Sequence, residues 1–265
     1  MNTKSKFLSL FLIAGLAIAP ISAQTISENI NLHPSISNLN QAKSTATLEK
    51  QSLQTSELES FNYLLYTPKN ATANMPLIIY LHGGSGKGED LDLLTGTDGF
   101  PQYVQDGVLE NIPAYIVMPQ LPSTQKGWTD VSVSLKELID YTCNTYNIDT
   151  NKISLTGHSM GGTGVWGTAL AYPDLFSCIA PLSGSIRINR DNINILSTLP
   201  VWAFVGSDDT IVEPTSSINI IEILNQKGSN AQVTVFDGAT HFDVPQLTYL
   251  DENINLVSWL ISHSK

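Results

Sequence analysis

The chain has 265 residues, a formal net charge of -11, 42% hydrophobic residues and two cysteines. This length and apolar content permit one large folded domain and exclude a disordered chain, and two cysteines cannot form a disulfide scaffold or a four-thiolate zinc site. The acidic excess argues against nucleic-acid binding, which needs clustered lysine and arginine, and against an anionic membrane surface.

The first 23 residues have the layout of a secretory signal peptide. Lys4 and Lys6 precede an apolar run from Phe7 to Ala19, and the small residue Ala23 stands at the predicted cleavage point. The run has 13 residues, whereas about 20 are needed to cross a bilayer. We therefore expect a secreted protein without a membrane span; the alternative is a buried or anchoring helix.

Two further segments follow the predicted signal. Residues 24–59 are rich in Ser, Asn, Gln and Thr without a sustained period, which predicts a linker or a loosely attached segment. Residues 60–265 alternate apolar runs with stretches of helical spacing, which predicts one α/β domain with a mostly parallel central sheet and helices on both faces. The predicted strands are 61–66, 77–81, 115–118, 152–155, 178–182, 201–205 and 233–236, and the predicted helices are 133–146, 160–172, 215–226 and 247–262.

A nucleophile pattern lies between the fourth predicted strand and its helix. The letters Gly-His-Ser-Met-Gly at 157–161 match G-x-S-x-G, in which the outer glycines allow a sharp turn that exposes the Ser159 hydroxyl. The turn also places Ser159 near a helix N-terminus. We interpret Ser159 as a nucleophile; the alternative is a serine that only caps the helix.

A serine hydroxyl needs a base, and His241 is the candidate among five histidines. His241 follows the last predicted strand, and the carboxyl ends of parallel strands lie on one edge of a sheet. We therefore expect His241 on the same edge as Ser159. The alternative is a surface loop histidine.

The base needs a carboxylate to hold its tautomer, and two aspartates follow the strand at 201–205. We choose Asp209 and keep Asp208 as the alternative, because spacing does not separate them. Paired acids could also bind a cation, but no further ligands are suitably spaced, so no metal or organic cofactor is expected. The order Ser159, Asp209, His241 is the nucleophile–acid–base order of the α/β-hydrolase arrangement.

An oxyanion formed during acyl transfer needs backbone N–H donors. Met160, directly after the nucleophile, is one candidate, and Gly84 or Ser85 in the glycine-rich loop after the strand at 77–81 is the second. A phosphate-binding loop is the rival interpretation, but Lys87 is followed by glycine rather than Ser or Thr. A purely structural turn is the other alternative.

Three further residues leave alternatives open. Trp128 lies in a loop, where it could stack on a substrate sugar or aromatic ring or simply pack as a buried side chain. Cys143 and Cys178 could pair in an oxidising compartment or remain as buried thiols.

These motifs together resemble the α/β-hydrolase superfamily, and within it the secreted serine esterases related to feruloyl esterases, acetyl-xylan esterases and polyhydroxybutyrate depolymerases. That group is also described as predicted peptidases or phospholipase/carboxylesterase-like proteins. The resemblance covers about residues 60–265 and implies Ser159 as nucleophile, Asp209 as acid and His241 as base. It rests on the segments Tyr80–Gly84, Met118–Gln120, Thr156–Gly162, Tyr172–Phe176, Ala180–Gly184 and Gly206–Val212, and on His241.

One departure from many relatives concerns the lid. Only the 18 residues 183–200 separate two predicted strands where many members insert a cap, so we expect no large lid domain and an open site. The sequence thus predicts a monomeric secreted serine esterase that acts on acyl groups of plant polysaccharide or on similar small esters. A serine peptidase of related fold is the alternative, and a non-catalytic binding protein is disfavoured by the intact Ser, Asp and His.

Overall fold

Short apolar runs of the sequence form the strands of an eight-stranded sheet. The structure is a computed structural model that describes residues 45–265 apart from 97–98 and 188. The strands are Thr47–Leu53 (β1), Phe61–Thr67 (β2), Leu77–Leu81 (β3), Tyr115–Pro119 (β4), Ile153–His158 (β5), Cys178–Leu182 (β6), Trp202–Gly206 (β7) and Gln232–Phe236 (β8). The helices are Asp92–Thr95 (α1), Phe100–Gln105 (α2), Ser132–Tyr146 (α3), Met160–Ala171 (α4), Arg190–Leu196 (α5), Pro214–Gln226 (α6), Val244–Tyr249 (α7) and Leu256–Ser262 (α8).

The sheet is mostly parallel. Its strand order is β1-β2-β4-β3-β5-β6-β7-β8, and only the β1–β2 and β2–β4 pairs are antiparallel within this sheet. The predicted mostly parallel α/β sheet is therefore confirmed. Because the strands from β3 to β8 run in one direction, the loops that follow them emerge at a common edge.

Strands β3 to β7 are buried on both faces along most of their length, whereas the edge strand β8 is partly exposed. Along β3, Leu77, Ile79 and Leu81 join the core on one face, whereas Ile78 and Tyr80 join the core on the other. Helices α3, α4, α5 and α6 cover the first face, and α1, α2, α7 and α8 cover the second. This double burial explains why the parallel strands read as continuous apolar runs.

The predicted linker at 24–59 is wrong for its last part. Residues 47–53 form β1, which pairs with β2 along its whole length, from Thr47 opposite Thr67 to Leu53 opposite Phe61. The segment has few apolar residues because it is an edge strand, and edge strands carry polar side chains. The folded domain thus begins before residue 60, whereas residues 24–44 and the predicted signal at 1–23 lie outside the described residues.

The single helix predicted at 247–262 is also wrong. Two helices, α7 and α8, occupy this region and are separated by a turn. In this turn Asn255 has a left-handed φ of 46°, and its side chain caps α8 by accepting the backbone N–H of Ser258. The short helices α1, α2 and α5 were not predicted. In the described part of the β6–β7 connection α5 has seven residues, which agrees with the expected absence of a large lid there.

No helix in the described ranges has the length and apolar character needed to cross a membrane.

Candidate active site

The nucleophile turn joins β5 to α4. Ser159 has φ 59° and ψ -118°, a backbone conformation that costs a non-glycine residue about 1–3 kcal/mol. A side chain on Gly157 or Gly161 would collide with the backbone carbonyl of Leu81, so both positions require glycine. The predicted sharp turn is present, and it presents a half-buried Ser159 at the carboxyl edge of the sheet.

Asp209 and His241 form a buried pair on the same edge. Oδ2 of Asp209 lies 2.7 Å from Nδ1 of His241, and the two residues are 6% and 3% exposed. The other oxygen of this carboxylate accepts the backbone N–H groups of Ile211 and Val212, both at 2.9 Å. Asp208 is exposed and accepts a hydrogen bond from the neighbouring Ser207 instead.

The hydrogen bonds to Asp209 keep its carboxylate ionised. Burial raises the pKa of Asp209, but the hydrogen bonds from Val212, His241 and Ile211 outweigh burial and leave the pKa below its usual value. An ionised carboxylate accepts Nδ1–H of His241, so this imidazole has its Nε2 available as a proton acceptor. The Asp209–His241 pair can therefore act as a general base through Nε2 of His241.

A second histidine links the nucleophile turn to this pair. Nε2–H of His158 donates to the backbone carbonyl of His241 at 2.9 Å, and the two rings lie 4.6 Å apart between centroids. Burial, followed by the nearby His241, lowers the pKa of His158 to about 4, so His158 is neutral near pH 7. Sequence reasoning assigned His158 no role, because its partner is 83 residues away.

The glycine-rich loop after β3 runs beside the nucleophile. A Cβ atom placed on Gly83 would lie 3.3 Å from Cβ of Ser159. Residues Gly84–Gly86 form a turn of 3-10 helix, in which the N–H groups of Gly86 and Lys87 donate to the carbonyls of Gly83 and Gly84. The N–H groups of Gly84 and Ser85 come before these donors and are not used within the turn.

Met160 is the first residue of α4, so its N–H belongs to the helical turn that lacks intrahelical acceptors. The structure therefore brings the three predicted donors, Met160, Gly84 and Ser85, to the two segments that flank Ser159. These N–H groups are therefore the candidate donors to an oxyanion formed beside Ser159.

His82 links the glycine-rich loop to the segment that follows β4 by two hydrogen bonds. Its Nδ1–H donates to the carbonyl of Gly83 at 2.6 Å, and its Nε2 accepts the N–H of Leu121 at 2.9 Å. Burial lowers the pKa of His82 to about 4, which keeps the ring neutral and preserves both hydrogen bonds. Gln120 adds two bonds from its Nε2, to the carbonyls of Gly86 at 2.9 Å and Asp90 at 2.7 Å.

The prediction that Trp128 stacks on substrate is wrong. The side chain is 1% exposed, its Nε1–H donates to the carbonyl of His82 at 3.0 Å, and its ring meets that of His82 edge to face. It packs on α4 where Gly164 leaves room, since a Cβ atom there would lie 2.6 Å from Cβ of Trp128. Trp128 is the packed loop tryptophan of the alternative interpretation and supports the loop.

The two cysteines are buried free thiols. Burial raises the pKa of Cys143 to about 11 and that of Cys178 to about 12, so both thiols are protonated and unreactive at neutral pH. Within the described ranges no group of three or more His, Cys, Asp or Glu is placed to hold a metal ion.

Comparison with known proteins gives a family match. A family model described as "Putative esterase" matches residues 59–244, a range that contains Ser159, Asp209 and His241. The chain is also 27% identical over 169 residues to "Probable acetylxylan esterase A" of Neosartorya fischeri. That alignment covers 54% of this chain and 44% of the relative, so the chain spans less than half of the relative's length.

Solved structures share the architecture. A thermostable esterase is 24% identical, with a TM-score of 0.70 and coverage of 82% of this chain and 63% of the other. A feruloyl esterase module from Clostridium thermocellum complexed with sinapinate is 18% identical, with a TM-score of 0.59 and coverage of 79% and 87%. With the mostly parallel sheet, these likenesses confirm the predicted α/β-hydrolase fold.

Proposed function

The chain belongs to the putative esterase family, and we propose that it is a serine hydrolase that cleaves carboxylic esters through an acyl-enzyme. The observation that carries the proposal is the buried hydrogen bond of 2.7 Å between Asp209 and His241, at the sheet edge where the turn presents Ser159. Acyl transfer requires an acid–base pair, a serine hydroxyl that the substrate can reach, and backbone N–H donors such as those of a glycine-rich loop.

In the first half of the reaction, Oγ of Ser159 attacks the ester carbonyl carbon while its proton moves to Nε2 of His241. Asp209 holds Nδ1–H and stabilises the imidazolium. The N–H of Met160 and that of Gly84 or Ser85 stabilise the negative charge on the carbonyl oxygen. His241 then returns the proton to the departing alcohol oxygen, which leaves the acyl group on Ser159.

In the second half, water attacks the acyl carbon and His241 takes the proton from that water. The same N–H donors stabilise the second tetrahedral intermediate. As this intermediate collapses, the bond between Oγ of Ser159 and the acyl carbon breaks, His241 returns its proton to Oγ, and the carboxylic acid leaves. No metal ion or organic cofactor is needed for either half.

We propose an ester-decorated plant polysaccharide, or a similar small ester, as substrate. The proposal is supported by the printed names of the relatives, an acetylxylan esterase and a feruloyl esterase module. A net charge of -11 also suits an uncharged polymer better than an anionic one. The short β6–β7 connection leaves this side of the site open to a bulky chain.

We further propose secretion, which rests on the basic start and the apolar run at residues 7–19. Expression of the full chain in a secreting host, followed by N-terminal sequencing of the exported protein, tests this. We expect a mature chain that begins at residue 24, and retention of residues 1–23 on a membrane-bound protein would contradict the proposal.

A substrate panel tests the activity. Purified protein is assayed with p-nitrophenyl acetate, methyl ferulate, acetylated xylan and a peptide anilide. We expect ester turnover that falls at least about 10³-fold in Ser159→Ala, because the covalent intermediate is lost. Ser262→Ala, an exposed serine at the end of α8, is the matched control and should keep wild-type turnover.

Two results would contradict the proposal. Ester turnover that survives Ser159→Ala would exclude the serine mechanism. Cleavage of the peptide anilide without cleavage of any ester would favour a serine peptidase of the same fold.

A further inference from the structure

An aromatic side chain stands in solvent beside the proposed base. Phe242 directly follows His241 and is 71% exposed, more than any other large apolar side chain among the described residues. Its ring meets the imidazole of His241 at right angles, with centroids 5.4 Å apart. Exposing a phenyl ring to water is unfavourable, and an exposed apolar side chain beside reacting groups is a candidate contact for a ligand.

A second exposed apolar side chain lies on the loop of the acid. Ile211 is 58% exposed, and its backbone N–H donates to Oδ1 of Asp209. Across the described residues, three large apolar side chains are more than half exposed, namely Val108, Ile211 and Phe242. Two of the three therefore flank the acid–base pair, whereas Val108 lies before β4, away from the carboxyl edge.

The geometry of the imidazole indicates which part of the ester Phe242 would contact. Nδ1 of His241 is occupied by Asp209, so Nε2 must exchange the proton with the departing alcohol oxygen, within about 3 Å of it. In the proposed reaction the carbonyl oxygen of the ester is stabilised by N–H groups of the glycine-rich loop, which runs beside Ser159, so this oxygen would face that loop rather than Nε2 of His241. A ring that packs against the imidazole thus borders the alcohol side of the ester.

The acidic residues around Phe242 limit which alcohol groups of an ester could bind there. The loops that carry the acid and the base expose Asp208, Asp237 and Asp243. From residue 191 to residue 264 the sequence has nine acidic residues and one lysine. An anionic alcohol would be repelled here, whereas an uncharged sugar ring can place its C–H face on the phenyl ring and keep its hydroxyl groups in water.

We propose that Phe242 is a specificity-determining residue that binds the alcohol part of the ester, and that this alcohol is an uncharged sugar unit of an acylated polysaccharide. The inference rests on the proposed esterase function and adds the subsite that selects the alcohol. It replaces Trp128, which is buried, as the aromatic contact for the substrate.

The test uses two esters with the same acetyl group and different alcohols, methyl acetate and an acetylated xylo-oligosaccharide. For Phe242→Ala we expect kcat/KM on the oligosaccharide to fall about tenfold, through KM, while kcat/KM on methyl acetate changes less than about twofold. Phe242→Trp should retain activity on the oligosaccharide. Val108→Ala, an exposed apolar residue at a distance from the site, is the matched control.

Three outcomes overturn the inference. An equal loss on both esters would show that Phe242 supports the imidazole rather than the alcohol. No loss on either ester would show that its ring does not contact substrate, and a loss confined to methyl acetate would show that the ring does not bind the sugar. Failure of the proposed function is distinguishable, because wild-type protein would then hydrolyse neither ester, or Ser159→Ala would remain active.

Discussion

Nε2 of His158 lies 2.9 Å from the backbone carbonyl oxygen of His241. Because His158 directly precedes Ser159, this hydrogen bond joins the turn of the proposed nucleophile to the loop of the proposed base. Small displacements between reacting groups cost large factors in rate, so a contact that fixes the two segments relative to each other bears directly on catalysis.

Replacing His158 should therefore slow the chemical step more than it weakens substrate binding. His158→Phe retains ring packing on His241 but removes the donor to its carbonyl. We expect kcat on p-nitrophenyl acetate to fall about tenfold with KM changed less than about twofold. His158→Gln, which can restore a donor, should recover part of kcat. An unchanged kcat in His158→Phe would exclude the positioning role, and His263→Phe in the C-terminal tail serves as control.

The two adjacent aspartates should differ sharply in their effect on activity. Asp209→Asn leaves the shape of the pair but removes the charge that holds Nδ1–H of His241, so we expect kcat to fall roughly 10³–10⁴-fold. Asp208→Asn is the matched control, because the Asp208 side chain is exposed and accepts a hydrogen bond from Ser207 rather than from His241. Steady-state kinetics of both variants decide the assignment, and the reverse pattern would move the acid to Asp208.

The buried His82 should make stability depend on pH. Its pKa is about 4 in the folded protein and near 6.5 when unfolded, so between these values the unfolded chain binds a proton that the folded protein does not. Neutral His82 makes its full contribution to the free energy of unfolding above pH 6.5. As the pH falls toward 4, the free energy of unfolding decreases by about 3 kcal/mol at most.

Urea unfolding at several pH values, with wild type and His82→Gln, measures this contribution. Gln can donate to Gly83 and accept from Leu121 without titrating, so the variant should lose less unfolding free energy on acidification. His158 has a lowered pKa as well and should leave part of the dependence in place. Parallel curves for the two proteins would show that His82 does not contribute.

A substitution at Trp128 can distinguish two roles of this side chain, support of the glycine-rich loop through His82 and stacking on a substrate ring. Trp128→Phe keeps a large ring in the space left by Gly164 but leaves the carbonyl of His82 without its indole donor. We expect a loss of about 1–2 kcal/mol in unfolding free energy and a lower kcat, with KM for acetylated xylan unchanged. A raised KM without loss of stability would restore the stacking role.

The parallel sheet could be predicted from the sequence because its inner strands are buried on both faces. The run at 77–81 and that at 178–182 have the predicted bounds, since no polar residue interrupts them. Strand β1 could not be predicted in this way. Its residues Glu49, Lys50 and Gln51 are those of an edge strand, and only the pairing with β2 identifies it.

For the candidate site, the positions of Ser159, Asp209 and His241 could be read from the sequence more easily than the hydrogen bonds that support them. Ser159, Asp209 and His241 each follow a strand, and that signal is local. The contacts of His158 with His241, and of His82 with Leu121, join segments that are 83 and 39 residues apart. Phe242 was missed for another reason, because exposure of a single aromatic residue leaves no periodic pattern.

The account depends most on Ser159 carrying the acyl group. Wild-type protein mixed with p-nitrophenyl acetate, quenched in acid within the first turnover and digested should be analysed by mass spectrometry, with Ser159→Ala treated identically. We predict one acetyl group on the peptide that contains Ser159, together with a burst of p-nitrophenol, and neither in the variant. Steady ester hydrolysis with the acetyl group on another residue, or with no dependence on Ser159, would contradict the account.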